Sequence, residues 1–318
     1  MHLSWSEAPA HSARRRKRYI LPKMIISASY KTDIPAFYGR WFMARLKAGF
    51  CRMVNPYGGQ VHEVPLTRGA VDGFVFWTRN PGPFGEALSE LRRRGFPFIL
   101  QLTLTGYPRA LESSVIDKER SIELAHTLAR EFGAKSVVWR YDPILATSLT
   151  PLEWHAANFA ELAQGLAGAV DEVVISFAQI YRKTRRNLDR AAKSFGFAWH
   201  DPDDDAKRAL ARELAARARE HGMRLSLCAQ PQLKGEGVGE ARCIDAERLS
   251  AVAGYKIEVP TKGNRPGCLC AESRDIGDYD SCPHGCVYCY AVATRSRARR
   301  RHQAHDPAGE FLAPPACG

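Results

Sequence analysis

Short apolar and β-branched runs alternate along this chain with longer stretches of helical periodicity. The apolar runs occupy 24–30, 73–79, 97–104, 136–142, 172–179 and 223–229. Runs of this length and composition are typical of strands that are buried on both faces. Most of them precede segments whose apolar residues follow a helical repeat, which predicts helices at Glu86–Arg94, Lys118–Phe132, Leu152–Leu166 and Ala206–His221.

The order of these elements predicts an α/β fold. Each connection is long enough for a right-handed crossover helix, so the strands are expected to be parallel. Six or more such units predict a TIM-like βα barrel, complete or partial, with a cysteine-rich iron–sulfur segment at 264–290 packed over one mouth. A doubly wound open sheet is the alternative. The run at 51–66 predicts a hairpin insertion, in which Gly58-Gly59 forms the turn.

Polar residues stand where the predicted strands end, which is the functional edge of a βα barrel. We assign Arg79, Arg140 and Asp142 to catalysis, because a guanidinium fork grips a carboxylate or a phosphate. Lys31 and Asp33 are assigned to cofactor binding. The alternative is that such residues begin loops and cap helices, as Asp33 before Ile-Pro would do well.

The composition is that of a globular protein with flexible ends. The chain has 318 residues, of which 45% are hydrophobic and 25% charged. We expect a disordered basic extension at 1–23, a barrel domain at 24–263, the cysteine-rich segment at 264–290 and a flexible basic tail at 291–318. Met24 opens the first strand and is a candidate start.

Most of the positive charge lies in the two predicted tails. Of the net charge of +12, residues 1–23 carry +5 and residues 291–318 carry +3. Such tails add nonspecific affinity for phosphate, although a charged tail is usually only solvated. Nothing resembles a secretory signal or a membrane span of about 18 apolar residues. We therefore expect a cytoplasmic protein without a membrane partner.

Three cysteines near the C-terminus carry the clearest chemical signal. They stand in Cys282-Pro-His-Gly-Cys286-Val-Tyr-Cys289, a Cys-x3-Cys-x2-Cys spacing that we call the cysteine loop (282–289). Three thiolates on one loop leave a fourth iron of a cluster without a protein ligand, where a small molecule binds. The competing interpretation is structural zinc, but zinc ribbons usually present two Cys-x2-Cys pairs. His284, inside the loop, is a candidate hydrogen-bond donor beside the cluster, although a loop histidine is more often solvated.

The spacing, Gly285 and Tyr288 resemble the cluster loop of the radical S-adenosylmethionine (radical SAM) enzymes. In that family, three cysteines hold a four-iron four-sulfur (4Fe-4S) cluster whose fourth iron is chelated by S-adenosylmethionine. The resemblance implies that Cys282, Cys286 and Cys289 are the cluster ligands and that Tyr288 lies near the adenine. The family normally carries this loop after the first barrel strand, whereas here nearly the whole chain precedes it.

A second resemblance covers residues 24–291. The openings Ile-Ile-Ser-Ala-Ser-Tyr-Lys-Thr-Asp-Ile-Pro and Val-Phe-Trp-Thr-Arg-Asn-Pro, with the closing Asp275-Ile-Gly-Asp-Tyr, are similar to an uncharacterised bacterial domain-of-unknown-function family. Its C-terminal cysteine cluster likewise resembles the radical SAM loop. This resemblance supports the cofactor and leaves the substrate open.

Four further cysteines precede the loop, and we call Cys228, Cys243, Cys268 and Cys270 the second thiol group. Four thiolates are enough to complete an auxiliary 4Fe-4S cluster or a tetrahedral zinc site. The alternative is that Cys228 and Cys243 are ordinary buried residues, because free cysteine behaves as a small hydrophobe. Neither Cys51 nor Cys317 needs a role.

The resemblance implies a radical SAM-like enzyme. A reduced cluster would cleave S-adenosylmethionine, and the resulting 5′-deoxyadenosyl radical would abstract hydrogen from a small-molecule or nucleic-acid substrate that the sequence does not identify. Flavodoxin or ferredoxin is the expected type of reductant. The alternatives are a noncatalytic nucleic-acid-binding protein stabilised by zinc or iron–sulfur, and an iron–sulfur protein for electron transfer or redox sensing.

Overall fold

Eight parallel strands form the central sheet of the computed structural model, which describes residues 23–55 and 58–313. The predicted extension at 1–23, apart from Lys23, lies outside the described residues, as does Cys317. The elements in chain order are β1 (Met24–Ser27), α1 (Ile34–Phe37), α2 (Gly39–Ala48), β2 (Phe50–Val54), β3 (Val61–Pro65), β4 (Val71–Thr78), α3 (Gly85–Arg93), β5 (Phe98–Thr103), α4 (Lys118–Phe132), β6 (Val137–Ile144), α5 (Leu152–Leu166), β7 (Glu172–Phe177), α6 (Arg182–Phe195), α7 (Asp204–Glu220), β8 (Arg224–Leu227), β9 (Val238–Glu240), α8 (Ala246–Ala253), β10 (Ser273–Asp275) and α9 (Arg295–Gln303).

The sheet has the order β10-β1-β4-β5-β6-β7-β8-β9, and every neighbouring pair is parallel. This confirms the α/β class and the parallel sheet. Along the described chain no ladder joins β9 to β10, so the sheet has two ends and closure into a barrel is not established. The insertion is confirmed as an antiparallel hairpin of β2 and β3.

The two faces of the sheet are covered by different parts of the chain. On one face, residues such as Ile26, Phe76 and Trp139 belong to the large core with the crossover helices. The alternate residues, such as Val75 and Val138, form a second core with α8 and the second thiol group. Successive side chains of a strand point to opposite faces. The strands are therefore buried on both sides, as their continuous apolar runs predict.

A close approach of α8 to the sheet explains the glycine in β4. A Cβ placed on Gly73 would lie 2.7 Å from the Pro97 carbonyl oxygen and 2.9 Å from a methyl carbon of Leu249. Real side chains do not tolerate such contacts, so α8 packs against the strand only because this position has no side chain.

The C-terminal region differs from the flexible tail expected at 291–318. Residues 295–303 form α9, whose N-cap Thr294 accepts a hydrogen bond from the Arg297 N–H. The chain then packs back on α2, where Trp41 Nε1 donates to the Gly309 carbonyl at 3.0 Å and Leu312 is buried. The polar composition of this region gave no apolar repeat to detect. Its order comes from tertiary contacts.

The cysteine-rich segment, expected at 264–290 and packed on the barrel, contributes a strand to the sheet. Its residues 273–275 form β10, which pairs with β1 over Ile25–Ser27. The segment is thus part of the sheet itself.

Within the described residues, no helix is long and apolar enough to span a membrane.

Candidate functional site

The cysteine loop leaves the carboxyl end of β10, the strand at one end of the sheet order. Although β10 is the last strand in the sequence, it lies beside β1, the first. The carboxyl ends of parallel strands share one edge of a sheet, which is where ligands bind in α/β proteins. The fold therefore brings the C-terminal thiols to the same edge as the ends of β1 and β4.

Asp275 fixes the point where the chain leaves β10. Its carboxylate accepts hydrogen bonds from Ser27 Oγ at 2.7 Å and Ser29 Oγ at 2.9 Å, and it forms an ion pair with Lys31 Nζ at 3.4 Å. The backbone N–H of Gly277 donates to the same carboxylate at 2.9 Å. A Cβ at Gly277 would lie 1.9 Å from Ser29 Oγ, so this turn requires glycine. The charge of Lys31 is thus paired with Asp275 at this turn.

Asp33 holds the cysteine loop to β1 and β4. Its Oδ1 accepts from the Ala36 N–H at 2.9 Å and so caps α1, which confirms the capping role. Its Oδ2 accepts from the Arg79 N–H at 2.8 Å and lies 2.8 Å from His284 Nε2. His284 is buried, contrary to the expected solvated histidine. Both oxygens of Asp33 therefore serve as anchors, and its contact with a cofactor stays a prediction.

Arg79 faces the cysteine loop in a buried polar group. Its Nη1 lies 2.7 Å from Glu112 Oε1, and its Nη2 donates to the hydroxyl of Tyr288. The Tyr288 hydroxyl donates to Glu112, which also accepts from Thr105 Oγ1 at 2.7 Å. Glu112 is only 3% exposed. Sequence reasoning missed this residue because a lone acid in a long loop carries no pattern.

The ring of Tyr288 is buried against that of Tyr107, with centroids 5.9 Å apart. Together with Leu111, these rings belong to a small core beneath the loop. Tyr288 therefore ties the loop to the residues that follow β5. Its proposed approach to an adenine stays a prediction.

The three loop thiols and the nearby guanidinium of Arg79 shift one another's pKa values. Burial raises the pKa of Cys286 to about 12 and raises the pKa values of Cys282 and Cys289, with contributions from the other thiols for Cys282 and Cys286. The charge of Arg79 lowers the pKa of Cys286 and of Cys289 against this effect. The thiols are protonated at neutral pH in the metal-free protein, so metal binding must release protons.

The second thiol group also comes together in the fold. Cys228 Sγ and Cys243 Sγ are 3.4 Å apart, and the Ile244 N–H donates to Cys270 Sγ at 3.4 Å. Cys270 hydrogen-bonds the side chains of both Cys243 and Cys268. Four cysteines from three separate stretches of chain are thus linked in one chain of contacts.

Arg140 and Asp142 lie beside the second thiol group and not beside the cysteine loop. Arg140 forms an ion pair with Asp142, and its Nη1 donates to Cys243 Sγ at 2.9 Å. Arg265, which was not predicted, donates from Nη2 to Cys228 Sγ at 3.4 Å. The three residues assigned to catalysis are therefore divided. Arg79 faces the loop, whereas Arg140 and Asp142 face the second thiol group.

The four thiols of the second group have unequal acidities. A hydrogen bond from Cys270, together with backbone donors, lowers the pKa of Cys268 to about 6. The pKa of Cys243 is raised to about 11, as is that of Cys270. The hydrogen bond to Cys243 and burial raise the pKa of Cys228. At neutral pH, Cys268 is the thiolate of this group.

The donor chemistry of both groups is that of soft metal sites, since thiols dominate and nearby arginines can offset thiolate charge. In residues 23–55 and 58–313, no three His, Cys, Asp or Glu side chains are arranged around a single point as ligands of one metal ion. An iron–sulfur cluster distributes its cysteine ligands over several irons, so it does not require such convergence.

Comparison with known proteins places the chain in one family. The sequence model of the family described as Domain of unknown function (DUF1848) matches residues 25–291. This match covers most of the chain, so the protein belongs to that family. Searches of curated proteins and of solved structures found no match.

Proposed function

We propose that this member of the DUF1848 family is a radical SAM-type enzyme in which Cys282, Cys286 and Cys289 hold a 4Fe-4S cluster. The observation that carries the proposal is the cysteine loop at the carboxyl edge of the sheet, with three interacting thiols and the guanidinium of Arg79 facing them. Three ligands suit a cluster with one open iron.

The place of the loop in the sheet supports this proposal better than its place in the sequence. Radical SAM enzymes carry the loop after the first barrel strand. Here it follows β10, which is last in the chain but first in the sheet order, beside β1. The other strands follow in sequence order without a reversal, which favours a partial barrel over a doubly wound sheet. Under this proposal, the chain would be a permuted version of that barrel.

Each residue around the loop has a physical role in this proposal. Burial lowers the pKa of Arg79, but the negative charge of Cys286, once it ionises to bind the cluster, and that of Glu112 raise it further. Arg79 therefore stays cationic and offsets the charge that ligating thiolates bring. Asp33 and His284 clamp the loop to β1 and β4, and Tyr288 closes it from beneath. When bound, the cluster supplies the electron for reductive cleavage of S-adenosylmethionine, which starts hydrogen abstraction from the substrate.

The second thiol group is proposed to hold an auxiliary 4Fe-4S cluster. Its four cysteines leave no open iron, so this centre suits electron transfer better than binding of a small molecule. Arg140 and Arg265, which donate to its sulfurs, would offset its charge. A flavodoxin or ferredoxin in the cytoplasm is the proposed source of electrons.

The test is formation of 5′-deoxyadenosine by anaerobically purified, reconstituted protein with dithionite and S-adenosylmethionine. The Cys286→Ala variant should form none, because one ligand of the open cluster is lost. Cys51→Ala is the matched control, since Cys51 is a buried cysteine in β2, remote in sequence from both groups. It should keep the activity.

Two results would overturn the proposal. One is the isolation of stoichiometric zinc with negligible iron from iron-replete cells. The other is reconstituted protein that carries its iron but leaves S-adenosylmethionine intact under a strong reductant.

A further inference from the structure

Two strongly basic helices lie against the chain that carries the cysteine loop. From α6, Arg186 Nη2 donates to the Ala293 carbonyl and Asn187 Nδ2 to the Val292 carbonyl, both at 3.3 Å. From α9, Arg301 Nη1 donates to the Tyr279 carbonyl at 2.6 Å. Lys183 of α6 lies over the ring of the same tyrosine at 5.9 Å. The segment between β10 and α9 is therefore flanked by both helices.

The charge on these helices is almost unopposed. α6 contains six Lys or Arg residues and a single acid, and α9 contains five Arg and no acid. Among the described residues, only Arg297 and Arg301 of these helices pair with an acidic side chain, Asp280 and Asp278 respectively. The cations that α6 contributes are Arg182, Lys183, Arg185, Arg186, Arg190 and Lys193.

Helix stability does not explain the cations at the amino ends of these two helices. An acidic residue in the first turn complements the positive amino end of a helix, and α3, α4, α5, α7 and α8 each have at least one. The first turns of α6 and α9 have none. They carry Arg182, Lys183 and Arg295 instead, where each cation opposes the helix dipole. The first-turn cations of these two helices therefore cost helix stability, whereas the last-turn cations Lys193, Arg300 and Arg301 complement the dipole.

Exposed aromatic rings accompany the cations. Tyr181, at the amino end of α6, is 48% exposed, and Tyr290, directly after the last loop cysteine, is 45% exposed. The guanidinium of Arg185 lies 5.2 Å from the ring centroid of Trp199. Cations that follow a phosphate backbone, with rings on which bases stack, are the features of proteins that bind single-stranded nucleic acid.

We propose that α6, α9 and the adjoining rings of Tyr181 and Tyr290 form a binding surface for single-stranded nucleic acid at the mouth of the cysteine loop. The arginines without an acidic partner bind phosphates, and the two tyrosines stack on unpaired bases. Single-stranded nucleic acid would then be the substrate class of the enzyme, an assignment that rests on the proposed function. The binding itself does not depend on it.

The charge test compares two variants of the full-length, anaerobically purified protein that lose the same charge. The surface variant is Arg182→Gln, Arg190→Gln, Arg299→Gln and Arg300→Gln. The control variant carries Arg120→Gln, Arg130→Gln, Arg217→Gln and Arg219→Gln, on α4 and α7. Both keep the basic N-terminal segment, so their difference reports on the helices.

Binding is measured by fluorescence anisotropy with labelled 12-nucleotide U and dT strands over a range of salt concentrations. The surface variant should bind at least tenfold more weakly, and its salt slope should fall by about 0.7 for each phosphate that an arginine no longer neutralises. The control should change by less than threefold. Equal weakening of both variants, or of neither, overturns the proposal. The RNA and DNA strands reveal which source of the shared chemistry is preferred.

The stacking test uses a matched pair of exposed tyrosines. Tyr290→Ala and Tyr181→Ala should each weaken binding by about fivefold or more, the lower range for loss of one stacked base. Tyr255→Ala is the control, since Tyr255 is 43% exposed and lies after α8. A 12-base-pair duplex that binds as tightly as the single strands, with no effect of either tyrosine, would overturn the single-strand assignment.

The enzyme proposal and this inference fail separately. Formation of 5′-deoxyadenosine is measured in the same preparations. Strand binding without any cleavage of S-adenosylmethionine overturns the enzyme and leaves the surface. Cleavage with no binding of either strand overturns the surface and leaves the enzyme.

Discussion

The three thiols of the cysteine loop come from one short stretch of chain, whereas the four thiols of the second group come from three stretches that only the fold unites. The loop sits at the end of the sheet on a frame of buried polar contacts from Asp275, Asp33 and Glu112. The second group sits in an apolar core with Val75 and Val138.

This contrast shows two ways in which the fold surrounds thiols with positive charge. At the loop, the charged partner Arg79 is itself held by Glu112, so positive charge is fixed before any ligand binds. In the second group, Arg140 and Arg265 donate directly to sulfur, and one thiol, Cys268, has a pKa lowered to about 6. Under the proposed function, the loop would hold the open, reactive cluster and the second group the closed one.

The largest expected effect is on cleavage of S-adenosylmethionine, which should depend on the cysteine loop and not on the second thiol group. Replacing Cys282, Cys286 and Cys289 together by Ala should abolish 5′-deoxyadenosine formation. Cys268→Ala with Cys270→Ala should lower the iron content from about eight to about four atoms per chain and spare the cleavage. Iron analysis and product assay measure both. Full iron content in the Cys268/Cys270 variant would contradict the auxiliary cluster.

The next effect concerns the arginine of each group in the metal-free protein. Arg79→Met should lower the free energy of unfolding by about 3–5 kcal/mol, because the deeply buried Glu112 loses its charge partner. Arg140→Met should cost less, about 1–3 kcal/mol, since the side chain of Asp142 is 19% exposed and still accepts from Ser176. Urea unfolding measures both. The reverse order would show that the second group holds the more critical ion pair.

A smaller effect tests the anchor of the loop against a plain helix cap. Asp203 caps α7 through the Ala206 N–H alone, so Asp203→Ala should cost about 1 kcal/mol. Asp33→Ala also leaves His284 and the Arg79 N–H without their acceptor, so it should cost about 2–4 kcal/mol. The same unfolding assay compares them. Equal costs would mean that Asp33 only caps α1.

The smallest effect is a difference in thiol reactivity at constant fold. In metal-free protein, iodoacetamide should alkylate Cys268 at a rate that rises as the pH passes about 6, because the thiolate is the nucleophile. Cys286, with a pKa of about 12, should stay unreactive at pH 7. Mass mapping of the modified peptides measures this. Preferential labelling of Cys286 would reverse the assigned acidities.

The acidity of Cys268 also gives its pH linkage a definite sign. Its folded pKa of about 6 lies below the ordinary value of 9.0. The stability that its ionisation contributes is therefore fully present above about pH 9 and is lost as the pH falls through 6.

Local patterns in the sequence were enough to predict most of the sheet strands, several helices and the candidate ligands. Continuous apolar runs located six of the parallel strands, and α4 and α5 begin and end at the predicted residues. The spacing of Cys282, Cys286 and Cys289 was visible without any structure, because these cysteines lie in one short loop of the chain. Local patterns of this kind depend on neighbours along the sequence.

Which of these residues become neighbours was visible only in the folded chain. The fold placed β10 beside β1 and brought Glu112 to Arg79. It also put Arg79 and Arg140 beside different thiol groups. The arginines of α9 pair with Asp278 and Asp280. The residues that make these contacts belong to no recognisable pattern among their neighbours in the sequence. Their attraction comes from burial and from charge across long chain separations, which no periodicity in the sequence records.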